Sequence, residues 1–327
     1  MNTRAFAKPR GFTLVELLVV ITIIGILAGL ALVAIPGAVS RVKEGGITAE
    51  IAQMDSALKL FKNDYGAFPP DGNAPFLQAK GTTRPPEFNS FLNRLFPRRN
   101  RAGDLPLTQK QVQNMLDAGM INPDVVDATN SSTYPVLDNL GSTEAFVLFL
   151  MGMSSDAEYP LTGGGDRKRY FEFARERLVD AEGDGWYSYL PASSDAPYVY
   201  FCASRYGAID AVGNPAADAF ARSAGTGSGT GEARPYVELV GSGSTGRIQF
   251  VNKDSFQLIC AGIDGNYGTF TSTPGTATAM ATTTKLYPSG LGMSSGTHAG
   301  SIEPYTTEDR DNITNFAQGP LRNKEPE

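Results

Sequence analysis

Few residues in this 327-residue sequence are equipped for chemistry, and their scarcity narrows what the chain can do. One histidine, His298, and two cysteines, Cys202 and Cys260, are too few for a Cys/His zinc pattern. A Ser-His-Asp nucleophile would have to draw on His298, which sits in the loop-like stretch "SSGTHAGS". No catalytic constellation assembles, so the sequence argues against an enzyme. What remains is carboxylate chemistry. In "DAEGDGWYSYL", Asp180, Glu182 and Asp184 alternate ahead of Gly185, which places hard oxygen donors on one side of a turn, as the start of a D-x-[DN]-x-[DN]-G calcium loop does. Pro191 stands where such a loop needs its bidentate Glu. That excludes an EF-hand and leaves a looser calcium turn beside the simpler reading of an exposed acidic turn. One more carboxylate is out of place: Glu16 is the only charge in the apolar stretch 12–35.

The elements that carry these residues begin with that stretch. As a helix its 24 residues reach roughly 36 Å, enough to cross a bilayer core of about 30 Å. The residues before it include Arg4, Lys8 and Arg10 and no acid, so the positive-inside rule keeps the N-terminus cytoplasmic and sends the remaining chain across. A cleavable secretory signal has an apolar run of about 7–15 residues, shorter than this one, although "AIPGAVS" offers small residues for a cut. A plain anchor accounts for the length but not for Glu16, since a carboxylate deep in a spanning helix costs about 2.5–3.5 kcal/mol on insertion scales. Some partner should offset that cost. The net charge of -6 and the sequence pI near 5.0 give no general reason to bind nucleic acid. The cluster Arg94, Arg98, Arg99 and Arg101, with Phe96 and Pro97 among it, reads as a solvated helix end.

A third reading supplies the partner. "RGFTLVELLVVITIIGILAGLALVAIP", residues 10–36, resembles the N-terminus of type IV pilins and type II secretion pseudopilins: a basic leader ending in Gly, then Phe, then an acid at the fifth position of the mature chain. The resemblance implies that a prepilin peptidase cuts after Gly11 and methylates the new amino terminus, Phe12. It also implies that Glu16 pairs with the terminal ammonium of Phe12 on a neighbouring subunit as that subunit enters a filament. A buried charge with a specific partner is what the energetics require.

Beyond the membrane, apolar residues fall at Ile47, Ile51, Met54, Leu58, Phe61 and Tyr65, one stripe of an amphipathic helix, with Glu50, Gln53, Asp55, Lys59, Lys62 and Asp64 between them. Gly25, Gly29, Pro36, Gly37, Gly45 and Gly46 weaken the helix, and a kink or melted turn is expected near Pro36. The helix should stop at "NDYGAFPP", where Gly66 and Pro69-Pro70 end it. "LKLFKNDYGAFPP" is also similar to the segment closing the first helix of major pseudopilins. Residues 69–195 read as a largely helical insertion, with helices expected over 88–96, 108–120 and 141–153, the last capped by Ser142 or Thr143, and a helix or turn in "RKRYFEFARERLV".

From 196 onward the pattern turns to strands. "PYVYFCASRYG", "RPYVELV", "GRIQFV" and "SFQLICAGIDGNYG", each bounded by Gly or Pro, predict a three- or four-stranded antiparallel sheet. Gly, Ser and Thr dominate 223–246 and 268–301, the composition of long surface loops. "FQLICAGIDGNYG" followed by "EDRDNITNF" is similar to the C-terminal region of major pseudopilins, whose acidic loop binds calcium. By position the resemblance makes Asp264, Asp309, Asp311 and Asn312 candidate ligands, although the intervening stretch is much longer here. Cys202 and Cys260 both fall in expected strands. They either pair, closing a loop of roughly sixty residues worth about 4 kcal/mol, or remain two buried thiols.

The sequence therefore predicts an α+β, pilin-like fold: leader 1–11, membrane and filament-core helix 12–35, amphipathic continuation 36–68, insertion 69–195, and an antiparallel sheet with an acidic loop over 196–327. The resemblance implies a structural filament subunit of a pilus or secretion pseudopilus, involved in protein transport. It would sit in the bacterial inner membrane as a single-pass protein, with its C-terminal domain periplasmic or extracellular. The implied partners are other filament subunits, prepilin peptidase, membrane lipid before assembly and an inner-membrane assembly platform, with calcium as the one cofactor. Glu16 favours a place in the filament shaft, whereas the chain's size favours a minor or specialised subunit. The alternative from another class is a membrane-anchored ligand-binding domain that uses a pilin-like anchor.

Overall fold

The computed structural model describes residues 12–72, 86–100, 107–136, 140–209, 215–217, 220–221, 231–241, 247–270, 283–293 and 301–325. The chain divides into two compact units, Met1–Lys43 and Glu44–Glu327.

Helix α1 (Leu14–Tyr65) begins in the first unit. There its large apolar side chains, from Phe12 and Leu14 to Val39 and Val42, are exposed. By length and composition the helix can cross a membrane. Thr22, the one polar residue in the middle of the run, turns its hydroxyl back onto the Leu18 carbonyl at 2.7 Å, so it leaves no unsatisfied donor. Pro36 lies inside the helix, and the melted turn expected there does not occur. A proline removes one backbone bond, and the neighbouring turns keep theirs.

In the second unit, α1 buries Ile47, Ile51, Met54, Ala57, Leu58 and Phe61, the stripe that the 3.6-residue period requires. Tyr65 is half-buried and packs against the same core. Gly66 ends the helix at φ +76°, its N–H donating to the Lys62 carbonyl at 2.7 Å, as a left-handed C-terminal glycine does.

The insertion holds α2 (Pro86–Leu95), α3 (Gln109–Asp117) and α4 (Ala145–Leu150), each close to an expected segment. Thr108 and Gln111 form a capping box on α3. Neither Ser142 nor Thr143 caps α4; the N-cap position is Glu144. Within "RKRYFEFARERLV" no α-helix forms: a 3-10 turn, Arg175–Arg177, leads into a two-residue strand, Leu178–Val179, that pairs antiparallel with Ser188–Tyr189.

Beside three short two-stranded pairs, the main strands divide between two four-stranded sheets instead of forming one. They are β1 (Val199–Cys202), β2 (Val237–Val240), β3 (Arg247–Phe250), β4 (Phe256–Cys260), β5 (Thr284–Tyr287), β6 (Ile302–Glu303), β7 (Ile313–Thr314) and β8 (Gly319–Pro320). The first sheet has the order β8-β7-β4-β1 and is antiparallel throughout. The second, β6-β5-β2-β3, is mixed: β5 runs parallel to both β6 and β2, and β2 pairs antiparallel with β3. Side-chain alternation makes the first sheet the middle layer. Tyr198, Tyr200, Cys202, Phe256, Leu258 and Cys260 join the core of α1 and the insertion. Val199, Phe201 and Ile259 point the other way, into a second core with Val237, Ile248 and Leu286. Strands covered on both faces read as near-continuous apolar runs; "VYFC" does so, and "FQLIC" is interrupted only by Gln257, whose buried amide bonds the backbone of Tyr236 and Val251.

Candidate functional site

The N-terminal site is built on the first turn of α1. Gly11 lies outside the described residues, while Phe12 and Glu16 are exposed. Thr13 is the cap: its hydroxyl accepts from the Glu16 N–H at 3.2 Å, and Glu16 Oε2 accepts from both the N–H and the Oγ1 of Thr13, each at 2.8 Å. This is a capping box, whose sequence signal is "TLVE" as T-x-x-E. Glu16 thus heads a surface of exposed apolar side chains, and among the described residues it has no basic partner.

The polar face of α1 between the apolar stripe reaches further than an exposed face would. Glu50 takes Arg177 in a bidentate grip, Nη1 to Oε1 at 2.7 Å and Nη2 to Oε2 at 2.5 Å. The hydroxyls of Tyr189 and Tyr198 donate to the same two oxygens at 3.1 and 2.6 Å. Asp55 Oδ1 accepts from Asn315 at 3.1 Å, and Asp64 Oδ2 accepts from Lys168 Nζ and Tyr170 OH, both at 2.5 Å. Arg322 joins Glu44 to Asp311. These contacts fasten the helix to the insertion and to the C-terminal segment.

At the C-terminal loop, the four residues aligned by resemblance with a calcium site do not close on one point. Asp311 is fully engaged: Oδ2 accepts from the N–H groups of Ile263 and Asp264 at 2.6 and 3.2 Å, and Oδ1 accepts from Arg322 at 2.7 Å. Asp264 is exposed and accepts from the Asn266 N–H at 2.9 Å. Asn312 donates to Tyr236 OH and the Tyr267 carbonyl at 3.1 and 3.0 Å. Asp309 is buried and already faces a cation. Its Oδ2 accepts from the Lys285 ammonium, which is 1 % exposed, and from the Thr306 N–H at 2.6 Å. Burial pushes the Asp309 carboxyl up and the Lys285 ammonium down, each opposed by the other's charge. Lys285 also donates to the Thr269 carbonyl at 2.9 Å and lies 4.5 Å from the Phe270 ring centroid. Gly268, at φ +95°, lets the backbone pass this carboxylate, since a Cβ there would lie 2.6 Å from it. Among the described residues, Asp309 Oδ1 and Asn312 Oδ1 are buried without hydrogen-bond partners, two oxygens where calcium takes 6–8. The residues present do not fit the implied calcium cage, and a lysine, invisible to the alignment of acids, supplies the positive charge.

The other acidic turn is assembled differently from its sequence pattern. Asp180 does not face outward with Glu182 and Asp184. Its Oδ1 accepts from the N–H groups of Gly183 and Asp184 at 2.7 and 3.1 Å, and its Oδ2 accepts from the Gly185 N–H and the Asn122 side chain at 2.9 and 3.3 Å. It shapes the turn. The third carboxylate comes instead from Glu144, at the start of α4: one oxygen from each of Glu144, Glu182 and Asp184 lies within 4.8 Å of the others. Glu144 is 1 % exposed, and burial, then the charges of Asp184 and Glu182, push its carboxyl well above the usual range. The signal for Glu144 was an acid directly ahead of the apolar run "AFVLFL".

The cysteines are both free and buried. They occupy adjacent strands, but the register sets Cys202 opposite Phe256, four residues from Cys260. At about 3.4 Å per residue the two are roughly 13 Å apart along the sheet, beyond the reach of about 7 Å between Cα atoms that a disulfide tolerates. The disulfide alternative is therefore corrected to two separate thiols. Of the arginine cluster, Arg99 is buried and bonds Asn93 at 3.2 Å, and Arg101 lies outside the described residues, as does His298.

Comparison with known proteins bears on the first of these sites. A family model described as the prokaryotic N-terminal methylation motif matches residues 7–32, a span that includes Gly11, Phe12 and Glu16. The chain is 34 % identical over 83 residues to the type II secretion system core protein G of Escherichia coli strain K12, covering 25 % of this chain and 57 % of that protein. It is 31 % identical over 84 residues to the protein of the same name from Dickeya chrysanthemi, covering 26 % and 55 %. With the one from Pectobacterium carotovorum subsp. carotovorum it shares 29 % over 127 residues, 37 % of this chain and 81 % of that protein. The chain thus spans little more than half the length of the first two relatives. No solved structure matches. The methylation motif, its position at the head of a long apolar helix, and these relatives make the chain similar to type II secretion pseudopilins over its N-terminal part.

Proposed function

We propose that this chain is a structural, non-catalytic subunit of a type II secretion pseudopilus or a related type IV pilus-like filament. The observation that carries the reading is the exposed apolar helix of the first unit, with the methylation motif at its head. A surface of that extent, from Phe12 to Val42, needs lipid or other helices around it. Before assembly it lies in the inner membrane, N-terminus inside, with the Glu44–Glu327 unit periplasmic or extracellular. Prepilin peptidase cuts after Gly11 and methylates Phe12, and an assembly platform lifts the subunit into the filament. There the helices pack in a heterologous, open-ended interface, with Glu16 against the amino terminus of a neighbour.

Mass spectrometry of the native N-terminus, combined with a Glu16→Gln variant, tests this. Glutamine keeps the capping box with Thr13 but removes the charge. The expected results are an N-methylated Phe12 and a folded E16Q chain that fails to enter filaments. An intact Met1, a cut near Ala38, or normal incorporation of E16Q would refute the proposal.

A further inference from the structure

The strongest unexplained feature of the second unit is the buried carboxylate of Glu144. Its Oε2 accepts the Gly141 N–H at 2.9 Å, while Oε1 has no hydrogen-bond partner among the described residues although the residue is 1 % exposed. A buried acceptor without a partner is costly, so something should fill the space it faces. Glu182 and Asp184 bring their carboxylates to that of Glu144, one oxygen from each of the three lying within 4.8 Å of the others. Glu182 is exposed and Asp184 half-buried, so the cluster is open to solvent on one side and closed by Glu144 at its base.

We infer that Glu144, Glu182 and Asp184 bind a divalent cation of the calcium class. The donors are all carboxylate oxygens, with no histidine or cysteine among them, which selects a hard cation over zinc. Three side chains, further carbonyls and water complete the 6–8 oxygens that calcium takes. The scaffold is already built around the site. Asp180 gathers the N–H groups of Gly183, Asp184 and Gly185 and so fixes the turn that presents Glu182 and Asp184. Gly185, at φ +94°, packs where a Cβ would lie 2.6 Å from Val126, which holds the turn against the insertion. Asn122 ties the same turn through Asp180 at 3.3 Å. A bound cation would join this turn, in the 180–185 segment, to the start of α4. It would act within the insertion, apart from the C-terminal loop, and its presence is independent of filament assembly.

The sole tryptophan, Trp186, supplies the readout. Its backbone N–H donates to Asp184 Oδ1 at 3.2 Å, and its ring is buried beside the cluster's own turn. Terbium added to the full chain in detergent should therefore emit when tryptophan is excited, and calcium should quench that emission by competition. Saturating calcium should raise the thermal midpoint by roughly 5 °C relative to chelator. In Glu144→Gln, relieved of a buried charge, the chain should melt no lower than wild type in chelator and bind calcium at least about tenfold more weakly. Glu182→Gln, at an exposed position, gives the same weakening without a folding risk. Absence of tryptophan-sensitised emission would overturn the inference. So would a calcium response kept in both variants, or one lost in Asp264→Asn and kept in E144Q, which would place the cation at the C-terminal loop.

Discussion

Glu50 ties α1 to its domain through four hydrogen bonds, and its removal has a calculable cost. Both of its oxygens accept two donors: Arg177 Nη1 and Tyr189 on Oε1, Arg177 Nη2 and Tyr198 on Oε2. The side chains of Arg177 and Glu50 are 20 % and 17 % exposed, so neither charge is well hydrated. Breaking a fully buried pair by removing one partner costs about 3–5 kcal/mol. Two features reduce that here. Water reaches part of the site, and Arg177 keeps two other contacts, its Nε bond to the Leu190 carbonyl at 2.7 Å and its stacking 4.4 Å from the Tyr189 ring centroid. We therefore expect Glu50→Ala to destabilise the domain by about 2–4 kcal/mol.

A surface pair on the same helix sets the scale. Lys59 bonds Asp55 at 2.5 Å with its side chain 61 % exposed, and Lys59→Ala should cost no more than about 0.5 kcal/mol. The assay is urea unfolding of the detergent-solubilised chain, followed by Trp186 fluorescence. A double-mutant cycle with Arg177→Met should give a coupling of about 1–3 kcal/mol. A cost for Glu50→Ala below about 1 kcal/mol, or additivity with Arg177→Met, would refute the view that this carboxylate anchors the helix.

Two further outcomes follow from the same structure. Burial pushes the Cys260 thiol up to about 12 and raises Cys202 as well, so both should resist alkylation in the native chain and react only on unfolding; a change in gel mobility on reduction would contradict the strand register. Lys168 first, then Tyr170, hold the Asp64 carboxyl below its ordinary value, so its contribution is present above about pH 3.9 and lost as pH falls through the lowered value; Asp64→Asn should remove that acid-limb loss, and identical pH profiles of unfolding would count against the contact.

What could be read in the sequence was what depends on local periodicity. The stripe from Ile47 to Phe61 follows from a 3.6-residue period alone, and so does the stop at Gly66, where the chain needs a positive φ. The segments of β1 and β4 were equally legible as strands. Their assignment to a middle layer was not, because "VYFC" and, apart from Gln257, "FQLIC" are apolar on both faces and nothing local says what covers the second one. The second sheet depends on β5 running parallel to β2, a pairing between segments nearly fifty residues apart that no turn signal announces. Site residues divide along the same line. Glu16 stood out because its neighbours are apolar, whereas Glu50 looked like any residue of a polar helix face. Its partner Arg177 is 127 residues away in sequence. Lys285 was illegible for the same reason: the acidic loop marks only its own acids, and the fold answers a buried Asp309 with an ammonium from β5.

The capping box changes what must be explained about Glu16. A cap contributes about 1 kcal/mol to a helix N-terminus, and the Thr13 contacts supply one in the single chain. A carboxylate in a spanning helix costs about 2.5–3.5 kcal/mol. The cap therefore offsets about a third of that cost, and glutamine at the same position would provide it with no charge to desolvate. A chain under pressure only to begin a stable membrane helix would do better with that amide in place of the acid. Retaining the charge makes sense where a cation arrives later, and the amine of a neighbouring Phe12 has the right sign and the right place on the helix. On the proposed assembly route, the Thr13 contacts hold the carboxylate at the first turn of α1 until that amine takes it over.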